Sequence, residues 1–151
     1  MLQINHLEKS YQDKVILNYI SLTIEKPGLY GVVGVNGAGK TTFFKCLSGL
    51  EPYQGEILYN KKTLSPNHVA FVPTEPYLYE HLTVGEFYTF YSKLLGIAPS
   101  KNYVFDIDKK LLIKQLSTGM RRKVYYNALL QKPYTLYIFD EPFNGLDISS
   151  S

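Results

Sequence analysis

The chain of 151 residues has little of several features that would place it in a special class of proteins. It contains one cysteine, and its formal net charge is only +3. A single cysteine cannot form an intramolecular disulfide, and we expect Cys46 to be a buried thiol in a protein of a reducing compartment. The small net charge does not indicate the strongly basic surface that nucleic-acid-binding proteins have, so we expect no nucleic-acid partner. The basic cluster Arg121-Arg122-Lys123 is interpreted as a solvated helix face.

Long apolar runs are also missing. No stretch approaches the roughly 18 residues of a membrane span, and Met1–His6 has neither the basic flank nor the apolar core of a signal peptide. We therefore expect a soluble, cytoplasmic protein. Because 45% of the residues are hydrophobic, the chain can bury one sizeable core, and we expect a single domain with at most a small inserted subdomain.

The most informative segment present is Gly34–Thr41, which reads Gly-Val-Asn-Gly-Ala-Gly-Lys-Thr. It follows an apolar, β-prone run at Leu29–Val33 and precedes a breaker-free stretch at Thr41–Leu50, an order that predicts strand, loop and helix. Glycines let backbone N–H groups face phosphate oxygens, and the helix N-terminus adds partial positive charge. Lys40 would neutralise the β- and γ-phosphates, and the Thr41 hydroxyl would bind Mg²⁺. The segment predicts a nucleotide-phosphate site.

Other patterns predict the elements around this loop. Thr83 and Glu86 form a capping box for a helix that runs to about Leu95, and Ser117 is the candidate N-cap of a helix that ends before Pro133. Alternating or continuous apolar residues predict strands at 2–5, 20–24, 56–59 and 69–72.

The last clear element is a continuous apolar run at Thr135–Phe139, which is typical of a parallel strand buried on both faces. Asp140 and Glu141 follow it directly. Ligands of open α/β sheets collect at the carboxyl ends of the strands, so these acids are expected beside the phosphate loop. Two acids beside a nucleotide suggest a metal ligand and a general base.

Three segments together, Gly34–Thr41, Leu116–Met120 and Leu136–Glu141 followed by Asn144–Asp147, resemble the nucleotide-binding domain of an ABC transporter ATPase. The Leu-Ser-Thr-Gly-Met segment stands where this family usually has Leu-Ser-Gly-Gly-Gln. The resemblance implies an α/β P-loop NTPase fold with a RecA-like parallel sheet core, an antiparallel β layer and a small helical subdomain at about 75–116.

The resemblance also implies a role for each matching residue. The metal residues would be Thr41, Thr74 and Asp140, the last of which would hold Mg²⁺ through water, while Glu141 as general base and Lys40 would be catalytic. Tyr11 would stack on the adenine of ATP. Residues implied to contact the nucleotide are Gly34, Asn36, Gly37, Ala38, Gly39, Lys40, Thr41, Thr42 and Asp147, and, from the partner subunit across the dimer, Ser117 and Gly119.

The pattern departs from the family at several points. Thr74 stands where a glutamine is usual, which we interpret as a trait of compact bacterial exporter ATPases, and Thr118 and Met120 weaken the signature. The family continues beyond the Asp147 segment with a strand ending in a switch histidine, so we expect the C-terminal part of the core to be missing. The chain would then be a fragment or truncated copy that is poorly stable and, alone, weak or inactive in ATP hydrolysis.

The function implied is ATP binding and hydrolysis as a subunit of an ABC exporter. ATP would close a homodimer or heterodimer of ATP-binding domains, and a membrane subunit would contact the surface around residues 74–83, so the protein would be peripheral to the inner face of the cell membrane and not inserted. Two alternatives remain: a soluble ABC ATPase acting on ribosomes or DNA, and a truncated nucleotide-binding remnant without productive hydrolysis.

Overall fold

The computed structural model describes residues 1–142 of the chain. Its contacts divide the chain into two compact units, one covering residues 1–71 and the other beginning at residue 72. Within residues 1–142, no helix has the length and apolar content needed to cross a membrane. Each unit is described separately below.

The first unit is built on a four-stranded antiparallel sheet. Strands β1 (Leu2–Tyr11) and β2 (Lys14–Ile24) form a hairpin, and β1 also pairs with β3 (Gln54–Tyr59), which is followed by the short β4 (Lys62–Thr63). The strand order in the sheet is β2-β1-β3-β4. The predicted antiparallel layer is confirmed, although its first two strands extend well beyond the residues whose alternation predicted them.

A register shift in β1 determines which of its side chains are buried. Leu2 and Ile4 point into the core, whereas beyond the shift between Ile4 and Leu7 the buried residues are Leu7 and Lys9. His6, with φ of 50°, lies inside this shift. A bulge inserts one residue into the strand and so moves the buried positions from even to odd numbers.

Helix α1 (Lys40–Leu47) supplies Phe43, Cys46 and Leu47 to the core of the first unit. It is shorter than predicted because Ser48 is its C-cap and Gly49 adopts the left-handed conformation, which ends helices. Cys46 is buried, as predicted, and burial raises the pKa of its thiol.

The predicted strand at Leu29–Val33 is wrong for the described structure. These residues have no regular secondary structure, and Leu29 and Val33 are almost fully exposed. A β-prone sequence becomes a strand only when a neighbouring strand satisfies its backbone groups and covers its side chains. Among residues 1–142, no named strand pairs with this segment.

Strand β5 (Val69–Val72) runs across the division at residue 72 and forms a two-stranded sheet with β6 (Leu136–Phe139). The Asp140 amide donates to the Val72 carbonyl at 2.9 Å. The prediction that this last strand is buried on both faces is wrong, because Ile138 is buried whereas its neighbours Tyr137 and Phe139 are exposed. In the described structure β6 is a half-buried strand.

Helices α2 (Val84–Leu94) and α3 (Thr118–Leu129) pack against each other in the second unit. The predicted capping box of α2 is confirmed: the Glu86 amide donates to Thr83 Oγ1 at 3.2 Å, and the Thr83 amide donates to Glu86 Oε2 at 2.7 Å. Ser117 is confirmed as the N-cap of α3, and short 3₁₀ turns occupy residues 66–68 and 113–115.

Candidate functional site

The phosphate-loop segment forms an exposed turn ahead of α1. Gly37 and Gly39 have φ of 82° and 92°, conformations that L side chains rarely adopt. The Ala38 amide donates to the Val35 carbonyl at 3.1 Å, and the first helical bond runs from the Phe43 amide to the Gly39 carbonyl at 2.8 Å. The loop therefore ends directly in the amides of a helix N-terminus, a geometry that suits an anion.

Gly39 is required for a second reason, which is packing against β2. A Cβ atom at this position would lie 3.0 Å from Ile16 Cγ2 and 3.2 Å from the Ile16 carbonyl oxygen. The turn into α1 can therefore approach the strand closely only because residue 39 has no side chain.

Lys40 folds back over the loop that precedes it. Its Nζ donates to the carbonyl oxygens of Gly34 at 2.6 Å and Val35 at 3.0 Å. The ammonium group is thus held at the mouth of the turn. The other predicted contact residues lie on the same stretch of chain: Asn36 and Thr41 are exposed, and Thr42 is half-buried.

Tyr11, the predicted adenine platform, ends β1 with 41% of its surface exposed. Lys9 Nζ lies 4.7 Å from its ring centroid, and the same ammonium pairs with Glu51 at 3.1 Å and donates to the Pro52 carbonyl at 2.8 Å. The hydrogen bond from Lys9, followed by further contacts including one from Tyr11, holds the pKa of Glu51 below its usual value. The sequence patterns did not identify Lys9, because it reads as one more polar residue of a strand.

The two predicted acids follow β6 in the second unit. Asp140 is only 3% exposed and its backbone is fixed by the bond to Val72. Glu141 is exposed and has φ of 48°, in the left-handed region, immediately before Pro142. Such a conformation costs about 1–3 kcal/mol and persists only where the surroundings hold it.

The signature segment caps α3. Ser117 Oγ accepts from the Met120 amide at 3.2 Å, so the serine side chain caps the N-terminus of the helix. A Cβ atom placed on Gly119 would meet nothing within 4 Å. No atom of the described residues therefore requires glycine at position 119, and the space that a side chain would occupy there is open.

The prediction of a solvated basic face at residues 121–123 is wrong for its first two members. Arg121 pairs with Glu80 at 2.8 Å, and Arg122 donates to the carbonyl oxygens of Thr74 at 3.2 Å and Pro142 at 3.0 Å. A run of three charges does not predict these contacts, because the acceptors, the Glu80 carboxylate and two backbone carbonyls, are distant in sequence. Only Lys123 is exposed.

Arg121 and Arg122 also line a cavity of 940 Å³ in the second unit, which we call the aromatic groove. Its other walls include the segment Thr74–Leu82, with Tyr77 and Tyr79 in edge-to-face contact, and Phe90 of α2, which contacts Tyr79 in the same way. The groove follows β5 directly and contains Thr74, whose carbonyl is bound by Arg122.

The predicted site residues thus form two sets. The phosphate loop, Thr41, Thr42 and Tyr11 belong to the first unit, whereas Thr74, Ser117, Gly119, Asp140 and Glu141 belong to the second. Asp147 lies outside the described residues. Among the described residues, no group of three or more His, Cys, Asp or Glu side chains is placed to hold a metal ion.

Comparisons with known proteins agree with the motifs. The family described as "ABC transporter" matches residues 17–144. The SkfA peptide export ATP-binding protein SkfE of Bacillus subtilis is 33% identical over 99% of this chain and 69% of its own length. The lantibiotic transport ATP-binding protein SrtF of Streptococcus pyogenes is 34% identical over 97% of this chain and 69% of its own.

Solved structures give the same result for the fold. An ABC transporter ATP-binding protein from Pyrococcus furiosus matches with a TM-score of 0.83 and 30% identity, over 97% of this chain and 78% of that one. An ATP-binding subunit of an ABC transporter matches with a TM-score of 0.81 and 27% identity, over 98% of this chain and 69% of that one. The fold is therefore that of a P-loop ATPase domain, and the chain belongs to the ABC transporter family as one of its ATP-binding, ATPase-type subunits.

Proposed function

We propose that the chain drives export through a membrane subunit, using ATP bound at the phosphate loop and hydrolysed with Glu141 as general base. The observation that carries this proposal is the loop itself, in which two left-handed glycines lead into α1 and Lys40 lies across the turn. Relatives named for peptide export and lantibiotic transport support the direction of transport.

In this proposal, each phosphate-site residue acts on a particular part of the nucleotide. The amides from Gly37 to Thr41, together with the Lys40 ammonium, hold the phosphate oxygens. Tyr11 stacks on the base, with the Lys9 ammonium fixing its ring through a cation–π contact.

Mg²⁺ fits the chemistry of the residues available. Thr41 offers a hydroxyl and Asp140 a carboxylate, and oxygen ligands of this kind are those that the hard cation prefers. The bound ion would neutralise charge on the phosphates. Thr74 has a shorter side chain than the glutamine usual at its position, so we assign it at most an indirect role near the metal.

Hydrolysis would require the Glu141 carboxylate to accept a proton from the attacking water. Two subunits would assemble head to tail, with Ser117 and Gly119 of one covering the nucleotide bound by the other. The open space at Gly119 supports this arrangement, because an atom of a partner subunit or its nucleotide could approach the backbone there.

The aromatic groove is the surface we assign to the membrane subunit, because it offers exposed tyrosines beside Thr74. Contact through this subunit would keep the chain peripheral to the inner face of the membrane. An aromatic-lined concavity is a common form of binding site for a partner's apolar side chains.

The proposal predicts that Lys40→Met weakens nucleotide binding about 10- to 100-fold. This follows because a hydrogen bond to a charged group contributes about 1.5–3 kcal/mol. The measurement is a titration with fluorescent ATP. The matched control is Lys45→Met, which removes the same charge from the last turn of the same helix and should leave the Kd unchanged. Equal affinity in Lys40→Met and the wild type would refute the assignment of the phosphate site.

A further inference from the structure

Arg122 joins two loops that leave neighbouring strands. At the end of the β5–β6 pair, the Asp140 amide donates to the Val72 carbonyl at 2.9 Å. Thr74 lies two residues after Val72, and Pro142 lies two residues after Asp140. The Arg122 guanidinium donates one N–H to the carbonyl oxygen of each. The guanidinium therefore reconnects the two segments just past the point where their backbone pairing stops.

This link holds the backbone on the far side of Glu141. The residue before Glu141 is fixed by its bond to Val72, and the residue after it is fixed by Arg122. Glu141 itself has φ of 48°, and a residue that precedes proline is additionally restricted to extended conformations. The backbone conformation of Glu141 is thus unfavourable in isolation and depends on the bonds that hold the residues on either side of it.

The chemistry of the contact suits arginine alone. The planar guanidinium presents several N–H groups in a rigid fork, so it can bind two carbonyls in different segments at once. A lysine ammonium at the same position is a single point charge on a flexible stem, and it would not hold both carbonyls in a fixed relation.

We propose that Arg122 is a positioning residue for ATP hydrolysis: it fixes the backbone that carries Glu141 and ties it to Thr74 in the wall of the aromatic groove. The inference rests on the proposed role of Glu141 as general base. A partner bound in the groove would therefore be connected to Glu141. The connection runs from the Thr74 carbonyl through the Arg122 guanidinium to the Pro142 carbonyl, and Pro142 is covalently next to Glu141.

The test compares steady-state ATP turnover of Arg122→Lys, Arg122→Ala and the wild type, each in a chain lengthened to the full extent of its relatives, beside Lys123→Ala as a control. Lys123 is the next residue of the same helix and is exposed, so its removal deletes an equal charge. We expect kcat to fall about 10- to 100-fold in both Arg122 variants, since misplacing a reacting group by about 1 Å costs this much. The KM for ATP should not change, and Lys123→Ala should behave as the wild type.

Chemical rescue separates positioning from folding. Millimolar methylguanidine should restore part of the turnover of Arg122→Ala and have no effect on Lys123→Ala. Wild-type kcat in Arg122→Lys, or a loss of kcat together with a lower unfolding midpoint and no rescue, would overturn the proposal. If Glu141→Gln hydrolyses ATP as fast as the wild type, the role of Glu141 fails first. If Glu141→Gln is inactive and Arg122→Lys is unaffected, only the role of Arg122 fails.

Discussion

At the scale of single residues, Asn127 organises the interior of the second unit. It is 2% exposed, and its side-chain amide donates to the Tyr88 hydroxyl and the Phe105 carbonyl, each at 2.8 Å. Its carbonyl oxygen accepts from the Phe105 amide at 3.0 Å. One side chain on α3 therefore satisfies both a buried phenol of α2 and the backbone of the segment that connects the two helices.

We predict that Asn127→Ala lowers the free energy of unfolding by about 1–3 kcal/mol or more, because it leaves buried polar groups without partners. Chemical denaturation measures the change. The exposed Asn102 offers a control, and Asn102→Ala should stay within about 0.5 kcal/mol of the wild type. Equal losses in the two variants would show that the Asn127 network does not stabilise the unit.

Another residue-scale feature is a cluster of tyrosines, of which Tyr125 is buried and Tyr91 and Tyr134 are half-buried. Tyr91 contacts Tyr125 edge to face, and burial raises the pKa of both phenols. Tyr134 has its pKa raised to about 12, mainly by burial. These hydroxyl groups stay neutral at physiological pH and serve as packing and hydrogen-bonding groups of the second unit.

At the scale of elements, the start of α2 connects stability to pH. The Thr83 amide and hydroxyl donate to Glu86 Oε2 at 2.7 and 2.9 Å, and these bonds lower the pKa of Glu86 below its ordinary value of 4.5. Since the folded state binds this proton less readily, the stabilisation is complete above that value and is lost as the pH falls through the lower, folded-state pKa.

We therefore predict that Glu86→Gln reduces the dependence of the unfolding free energy on pH in the acid range below about 4.5. Denaturation curves collected across that range provide the measurement. Glu25→Gln makes the same charge change at an exposed position that begins no helix. If both variants kept the wild-type pH dependence, the capping box would not be the source of the effect.

The elements also show which sequence signals are sufficient. Caps and helical spacing predicted α2 and α3 because the Thr83 and Ser117 contacts are local, within a few residues of chain. The segment Leu29–Val33 had an equally strong β pattern and is not a strand among the described residues. A strand needs a partner that its own sequence does not contain, so propensity alone predicted it wrongly.

At the scale of the whole molecule, the motifs predicted the family and the fold class, and the comparisons confirm both. The glycines of the phosphate loop were informative because each one is needed for a local backbone conformation, as at Gly39. The contacts of Lys9 and Arg122 could not be predicted, because their acceptors, Pro52 and Thr74 among them, come from distant segments. The spacing of charged residues along the sequence does not predict such long-range carbonyl partners.

The central claim is that ATP bound at the phosphate loop is hydrolysed with Glu141 as the base. The most direct measurement is Mg²⁺-dependent ATP hydrolysis by wild type and Glu141→Gln, on this chain and on a version lengthened to the full extent of its relatives. The account predicts that Glu141→Gln still binds ATP and accumulates as an ATP-bound dimer, while its turnover falls by about 10²- to 10⁴-fold. Hydrolysis by Glu141→Gln at the wild-type rate would contradict it.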